Sequence, residues 1–497
     1  MSAVRIGPVF GFAKRPGTRT FRRSMSQLRL LLLTALSLFV ADLVAQTPPP
    51  RRDIGKFYAQ NCAACHGKEM QGGLAPSLLD DQWSHGSTDA DLARVIAKGI
   101  EDSMPGYSDE LSDAEVRAMV IYIRERRAGF SPNRETKPQP IDAVRTEQHA
   151  YRVETVADRL ATPWGLAFLP DGRLLITEKN GRLRVVGADG QLLPEPIRGT
   201  PAVRNAGQGG LLDVAVHPRH AENGWIYLAY SDPATRDGQD VSLTVLVRGR
   251  IRDGAWVDQE TIWRAPLSFY RPGGGVHYGC RIVFDRDGYL YFSHGERGRQ
   301  DDAQDLTKPN GKVHRLHDDG RIPDDNPFVR TPGAFPSIWT YGNRNPQGLA
   351  FDPRTGALWE TEHGPRGGDE LNVLRRGANY GWPVITYGMN YNGTPITGAT
   401  AKDGLEQPVI YWTPSIAVCG IDFYTGDKFP AWKNNLLVTA LAQQEVRRVV
   451  IEDGRVTHQE VIVKDIGRVR DVQTGPDGTI YVALNQPDRV VRLVPVE

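Results

Sequence analysis

The 497-residue sequence predicts two folds in tandem, a small all-α unit followed by an all-β body arranged as a six-bladed β-propeller. Three observations carry this. Glycine and proline together supply 87 of the 497 residues, well above the ~12% of an average protein, so tight turns must be frequent. After residue 170, a turn dipeptide is six times followed by a short apolar or aromatic run. Ahead of this region, from about Asp53 to Arg127, apolar residues recur instead at helical spacing. The rest of the composition excludes several classes. With 40% hydrophobic and 24% charged residues the chain is neither a collagen, a disordered tail nor a polytopic membrane protein. Sixty Lys and Arg against 59 Asp and Glu leave no basic surplus to neutralise phosphates, which argues against nucleic acid as a partner. Four cysteines rule out a disulfide scaffold.

Taken in order, residues 1–46 have the pattern of an export signal: Arg22, Arg23 and Arg29, the uncharged run from Leu30 to Ala41, then Ala45 before Gln46. Asp42 ends the run at about a dozen residues, short of the ~20 that a spanning helix needs. The expected destination is the periplasm, with no stable membrane span after cleavage; a retained anchor is the alternative, and Met25 is an alternative start. Residues 47–127 form the helical unit. Ile54, Phe57 and Tyr58 suggest a first helix. Thr88 and Asp91 open a second, with Leu92, Val95, Ile96 and Ile100 on one face. Ser112 and Glu115 form a capping box for a third, whose apolar stripe is Val116, Met119, Val120 and Ile123. A unit of this size has a marginal core of its own, which a covalently held cofactor could fill. Residues 128–146, with Pro132, Pro138 and Pro140 among polar residues, read as a linker, and residues 147–497 as the β body.

Cys62-Ala63-Ala64-Cys65-His66 is a C-x-x-C-H motif, in which two thiols add to the vinyl groups of one haem and the following His reaches its iron. A zinc site would need two further ligands at comparable spacing, and a thioredoxin-type pair needs a βαβ setting. Cys62, Cys65, His66 and haem c are therefore assigned together. Met104, before Pro105 in a loop between helices, is the candidate sixth ligand, with His85 or an open position as alternatives; Met70 lies close to His66 and Met119 on an apolar helix face. The unit resembles a class I cytochrome c.

In the β body the six turns are Asp171-Gly172, Asn223-Gly224, Asp287-Gly288, Thr355-Gly356, Asn434-Asn435 and Asp477-Gly478. Their spacings of 52, 64, 68, 79 and 43 are at or above the ~40–50 of a four-stranded blade, so six blades with long inserted loops are predicted. A pair of sandwiches with unrelated hairpins is the alternative. Between the strands lie polar segments: Gln208, His277 with Arg281, Arg344-Asn345-Pro346-Gln347, Glu362-His363-Gly364-Pro365 with Asp369-Glu370, and Arg468-Val469-Arg470-Asp471. Each has a bland structural explanation singly. Together they could hold a polyanionic ligand and a hard cation.

Thr162-Pro163-Trp164-Gly165-Leu166-Ala167-Phe168, Gly207-Gln208-Gly209-Gly210-Leu211, Gly342-Asn343-Arg344-Asn345-Pro346-Gln347-Gly348 and Glu362-His363-Gly364-Pro365-Arg366-Gly367-Gly368-Asp369-Glu370 resemble the soluble glucose and sorbosone dehydrogenase family. Within it they are most similar to bacterial aldose sugar dehydrogenases, which use pyrroloquinoline quinone (PQQ). The likeness runs from about Tyr151 to Val494. It implies a six-bladed propeller with PQQ on its top face. His277 would be the general base at the sugar C1 hydroxyl, and Arg344, with Asn345 beside it, would stabilise charge on the quinone C5 oxygen. Gln208 would line the pocket, and Arg468 and Arg470 would bind the quinone carboxylates. The Gly364 and Pro365 carbonyls would ligate a Ca²⁺ bridging to PQQ, and Glu370 with the Tyr380 carbonyl a second, structural Ca²⁺.

One departure stands out: the family lysine of the fifth blade is replaced at Ala442-Gln443-Gln444, which predicts weaker PQQ binding unless Arg447 substitutes. Cys280, three residues after His277, matches no family role, and Cys419 is too distant in sequence for the sequence alone to pair the two. The expected activity is oxidation of an aldose to its lactone, with electrons passing through the fused haem to a respiratory acceptor. The alternatives are oxidation of another alcohol or aldehyde such as sorbosone, an inactive carbohydrate-binding propeller, and a haem sensor.

Overall fold

The computed structural model describes residues 52–101, 103–129, 136–137, 143–272 and 275–496. The export signal and the linker prolines lie outside the described residues. Arg52 to Glu497 form one compact unit.

The helical part contains α1 (Ile54–Asn61), the single turn α2 (Ala63–His66), α3 (Asp89–Lys98) and α4 (Asp113–Arg127). Each longer helix starts where its sequence supplies a cap. Asp53 accepts from the Lys56 amide, and reciprocal capping boxes pair Thr88 with Asp91 and Ser112 with Glu115, satisfying amides that the first helical turn leaves unpaired. The stripes read from the sequence converge, so that Ile54, Phe57, Leu92, Ile96, Val116, Met119 and Ile123 share one apolar cluster. The additional turn α2 carries the C-x-x-C-H motif. Of the linker region, Val144–Arg145 already pairs as a short strand with Ala150–Tyr151.

The β body is a ring of six antiparallel sheets. Blade 1 spans Pro163–Val186, blade 2 Leu211–Trp263 with the short Arg271–Pro272, blade 3 Ile282–Tyr341, blade 4 Pro346–Trp412 and blade 5 Val418–Lys464. Blade 6 joins Arg468–Thr474, Ile480–Asn485 and Arg489–Val496 to the first long strand of the body, Ala150–Ala157. The final strand thus meets the opening one in register from Ala150↔Val496 to Thr155↔Val491, which closes the ring.

All six sequence-predicted turn dipeptides occupy one topological position, the turn between the first and second strands of successive blades. That common position puts the six turns on one face. The segments before each first strand and after each second strand meet on the other, as the Pro346↔Glu362 and Arg468↔Asn485 pairs illustrate. Every polar segment singled out in the sequence belongs to this second face or to the inner strands that lead to it.

At the hub, Arg281 Nη1 bridges Asp213 (2.8 Å) and Asp471 (3.0 Å), joining blades 2, 3 and 6, while the Leu166 amide of blade 1 donates to Asp471 at 2.9 Å. Burial raises the Asp213 pKa to about 7 against the opposing pull of Arg281. Such a buried triad is worth little as net stability, but removing one member leaves an uncompensated charge. The inner strands approach closely enough to need glycine: a Cβ on Gly420 would sit 2.2 Å from Asp471 Oδ1, and one on Gly165 2.7 Å from Asp213 Oδ1.

Candidate active site

On the second face, residues from all blades but the outer strands converge on a cavity of about 270 Å³. Lys179, Arg468 and Arg470 stand on its wall with Gln208, Asn345, Gln347, Trp164 and His363, and none of the described residues lining it carries a carboxylate. Arg470 Nη1 donates to Gln347 Oε1 at 3.1 Å, and its guanidinium lies 5.7 Å from the Trp164 ring centroid. Lys179 Nζ donates to the Gly207 carbonyl at 2.7 Å. Burial, and then the charge of its cationic neighbour Arg470, lower the pKa of Arg468 and that of Lys179 alike. Like charges brought together without a counter-ion favour an anionic occupant. Arg470 Nε is moreover a buried donor with no hydrogen-bond partner among the described residues. A tricarboxylated quinone suits this donor set.

His277 directly precedes the lining residue Tyr278 and is held at φ +52°, a region that non-glycine residues occupy only when their surroundings impose it. Here the His277 amide donates to Gln208 Oε1 at 2.7 Å, and Nδ1 bonds the buried Glu296 carboxylate. Burial, reinforced by the Arg344 charge, lowers the His277 pKa, and Glu296 partly opposes this. The ring is therefore neutral at neutral pH, and with Nδ1 engaged by Glu296 its Nε2 is left to accept a proton. The Arg344 carbonyl accepts from the Glu296 amide at 2.9 Å, so base and cation are positioned by one residue.

Arg344 is buried, its amide donating to Glu362 Oε2 at 2.6 Å and its Nη1 to the His363 and Gly364 carbonyls at 2.9 and 3.2 Å; its Nε has no partner among the described residues. It faces a second, small cavity lined by Glu362, Glu370, Tyr380, Trp382 and Gly364. The volume, about 10 Å³, suits one water or one bare cation. Two carboxylates, Glu362 and Glu370, line it, and Glu360 is buried behind them, joined to Glu370 through Asn372 Nδ2; burial and mutual repulsion raise the pKa of Glu360 to about 8 and that of Glu362 well above the normal range, and burial raises that of Glu370 to about 7. Such groups take up either protons or a cation, and oxygen-only ligands suit Ca²⁺. Among the described residues no three His, Cys, Asp or Glu side chains are grouped to hold a metal ion, so a cation here would rest on the Glu362 and Glu370 carboxylates supplemented by backbone carbonyls. The Gly364 carbonyl fits less well, because the Arg344 guanidinium already occupies it.

In the helical part, Cys62, His66 and Met104 line a third cavity of about 310 Å³ with apolar walls including Leu92, Ile96, Met119 and Ile123. Cys65 is exposed at α2. His66 Nδ1 is 3.0 Å from the Pro76 carbonyl, which fixes the tautomer that leaves Nε2 for iron. Burial raises the Cys62 thiol pKa to about 11, appropriate to a thiol enclosed in apolar surroundings. The residues fit a c-type haem. His85 lines the same cavity, and Met70 is buried in the core instead.

Lys179 and Glu296 escaped the sequence reading, since neither lies in a motif and each reaches the site from a segment that follows the second strand of its blade. Lys179 supplies an ammonium where the Ala442 substitution had predicted a loss. Arg447 does not substitute, because its Nε is held by Glu445 Oε1 at 2.6 Å. Cys280, which lines the cavity, and Cys419, whose Sγ accepts from Arg470 Nη1 at 3.5 Å, are buried free thiols.

Residues 160–492 match the family profile described as Glucose / Sorbosone dehydrogenase, and residues 50–123 that of cbb3-type cytochrome c oxidase subunit III. The aldose sugar dehydrogenase YliI of Escherichia coli K12 is 46% identical over 340 residues, which cover 67% of this chain and 90% of that protein. The apo-form crystal structure of the soluble E. coli aldose sugar dehydrogenase superposes with a TM-score of 0.66 at 42% identity, covering 70% of this chain and all of that one. The PQQ-bound aldose sugar dehydrogenase of Streptomyces coelicolor is similar at 26% identity and a TM-score of 0.56, over 70% of this chain and 98% of that one.

Proposed function

Because the chain belongs to the glucose/sorbosone dehydrogenase family and carries a cytochrome c unit ahead of its propeller, we propose that it is a periplasmic quinohaemoprotein that oxidises aldoses to lactones and delivers the electrons through its own haem to a respiratory acceptor. The observation that carries this reading is the His277–Glu296 pair next to a cavity whose described lining carries Lys179, Arg468 and Arg470 and no carboxylate. PQQ, when bound, supplies the two-electron acceptor.

The protein's own groups have distinct tasks. Lys179, Arg468 and Arg470 hold and orient the anionic cofactor. His277 Nε2 removes the C1 hydroxyl proton, and Glu296 steadies the imidazolium that results. Arg344, buried over Trp382 at 5.3 Å, places positive charge where oxygen charge develops in a site with little water. Glu362, Glu370 and the Tyr380 carbonyl would hold Ca²⁺, whose charge keeps the carboxylates ionised. Cys62, Cys65, His66 and Met104 would hold haem c; His and Met ligation raises its potential, as an electron acceptor requires.

The test is anaerobic mixing of aldoses with oxidised protein carrying PQQ and Ca²⁺, followed at the haem α-band without a dye. Reduction that requires sugar, PQQ and His277 together supports the assignment. If PQQ binds and no aldose reduces either cofactor, the activity assignment is wrong.

A further inference from the structure

Helix α4 presents two working stripes. One, with Met119 and Ile123, lines the haem cavity. The other, Arg117, Ile121 and Glu125 at i, i+4 and i+8, faces blade 4. Glu125 is buried although it sits among Arg124, Arg126 and Arg127 near the helix end, and its carboxylate takes a two-pronged contact from Arg366, Nε to Oε1 at 3.0 Å and Nη2 to Oε2. Arg117 Nη2 donates to the Gly398 carbonyl at 2.6 Å and the Thr397 carbonyl at 3.3 Å. Met389, from the same blade-4 excursion, packs into the core of the helical unit. Between these anchors Gly367 is so close that a Cβ on it would lie 3.3 Å from Ile121 Cγ1 and Cγ2.

The segment that receives α4 is the one that walls the active site. His363 lines the cation-rich cavity, and the Gly364 carbonyl accepts from Arg344; three residues later Gly367 lies where any side chain would press on Ile121. One short backbone run and one helix, ~10 Å across, therefore connect the two cofactor cavities.

Resting on the reading above, we propose that the Gly364–Gly368 segment and α4 form the electron junction of the protein, with Glu125–Arg366 as the clamp that positions it. Oxidation of an aldose to its lactone releases two electrons and two protons. The haem iron takes one electron at a time, Fe(III) to Fe(II), so an outside one-electron acceptor must reoxidise it once before the second electron crosses.

The experiment uses the full-length holoprotein and Glu125→Gln, Glu125→Arg and the charge-swapped Glu125→Arg/Arg366→Glu. Three rates are compared: anaerobic haem reduction by aldose, aldose oxidation coupled to a dye that takes electrons from the propeller site directly, and ferricyanide-supported turnover. Haem potential is recorded for each, as is hydrogen exchange of α4 and residues 364–368 in the PQQ-free protein. The Glu125 variants should open that exchange, slow sugar-driven haem reduction at least tenfold, and leave dye-coupled oxidation and haem potential unchanged; the charge swap should restore much of the haem rate. Glu125→Gln retains side-chain shape and keeps the comparison valid if the reversal misfolds. Exchange that opens while haem reduction stays at the wild-type rate overturns the junction. Absent dye-coupled oxidation in the wild type would instead refute the dehydrogenase reading on which it rests.

Discussion

Replacing Lys179 by Met tests whether blade 1 supplies the cation that blade 5 lacks. The substitution keeps the aliphatic stem and removes an ammonium that sits on the Gly207 carbonyl at 2.7 Å beside Arg470. A hydrogen bond to a charged group contributes ~1.5–3 kcal/mol. Lys179 is only about half buried, so solvent screening reduces this to ~1–2 kcal/mol, a weakening of PQQ binding by about 5- to 30-fold. Titration of PQQ into the Ca²⁺-loaded protein, followed by quenching of tryptophan fluorescence, reads it directly because Trp164 lines the same cavity. Lys179→Arg should stay near wild type, Lys179→Met should show a shallower salt dependence, and Ala442→Lys added to Lys179→Met should recover affinity. An unchanged Kd in Lys179→Met, with the haem spectrum and melting temperature intact, would refute the compensation argument.

Three further outcomes are expected. Glu296→Gln should lower kcat/KM by ~10- to 100-fold and, because Glu296 raises the His277 pKa, move the acid limb of the pH profile to lower pH; a limb that stays in place would mean that another group sets it. The raised carboxylates Glu370, in the small cavity, and Glu360, behind it, bind more protons folded than unfolded, so without a cation their contribution to stability is present at acid pH and is lost as pH rises from ~4.3 through about 7 for Glu370 and about 8 for Glu360. Ca²⁺ should therefore raise the melting temperature by several degrees at pH 8 and scarcely at pH 5, the ion at ~100 times its Kd adding about 2.7 kcal/mol; equal effects at both pH values would place the ion elsewhere. Met104→Ala should lower the haem potential and alter the visible spectrum, since thioether ligation raises it, and an unchanged spectrum would transfer the ligand role to His85.

The architecture was legible because turn chemistry is local. Each Asp-Gly, Asn-Gly or related dipeptide is followed by its own strand, and every one falls at the same turn of a blade. The haem motif and the capping boxes are likewise local. The site was legible only where its residues belong to recognisable motifs. Lys179 follows the second strand of blade 1 and shares the cavity wall with Arg470 of blade 6, a neighbour relation that no spacing encodes. Glu296 lies 19 residues beyond His277, on the segment after the second strand of blade 3, and becomes its partner only through the fold. The buried Glu125 interrupts a helix end otherwise rich in arginine, a signal that acquires meaning only once blade 4 is placed against it.

The pairing of Ala150–Ala157 with Arg489–Val496 also fixes an order of assembly. Local contacts form the helical unit soon after it emerges, whereas the ring must wait for its final residues, since its last seam joins segments more than three hundred positions apart. Until then the strand that follows the haem unit has no partner on that edge. Haem can thus be attached while the propeller is still open, and a chain cut short of Arg489 would keep a cytochrome but leave an unlatched ring, with an exposed strand edge inviting aggregation or proteolysis.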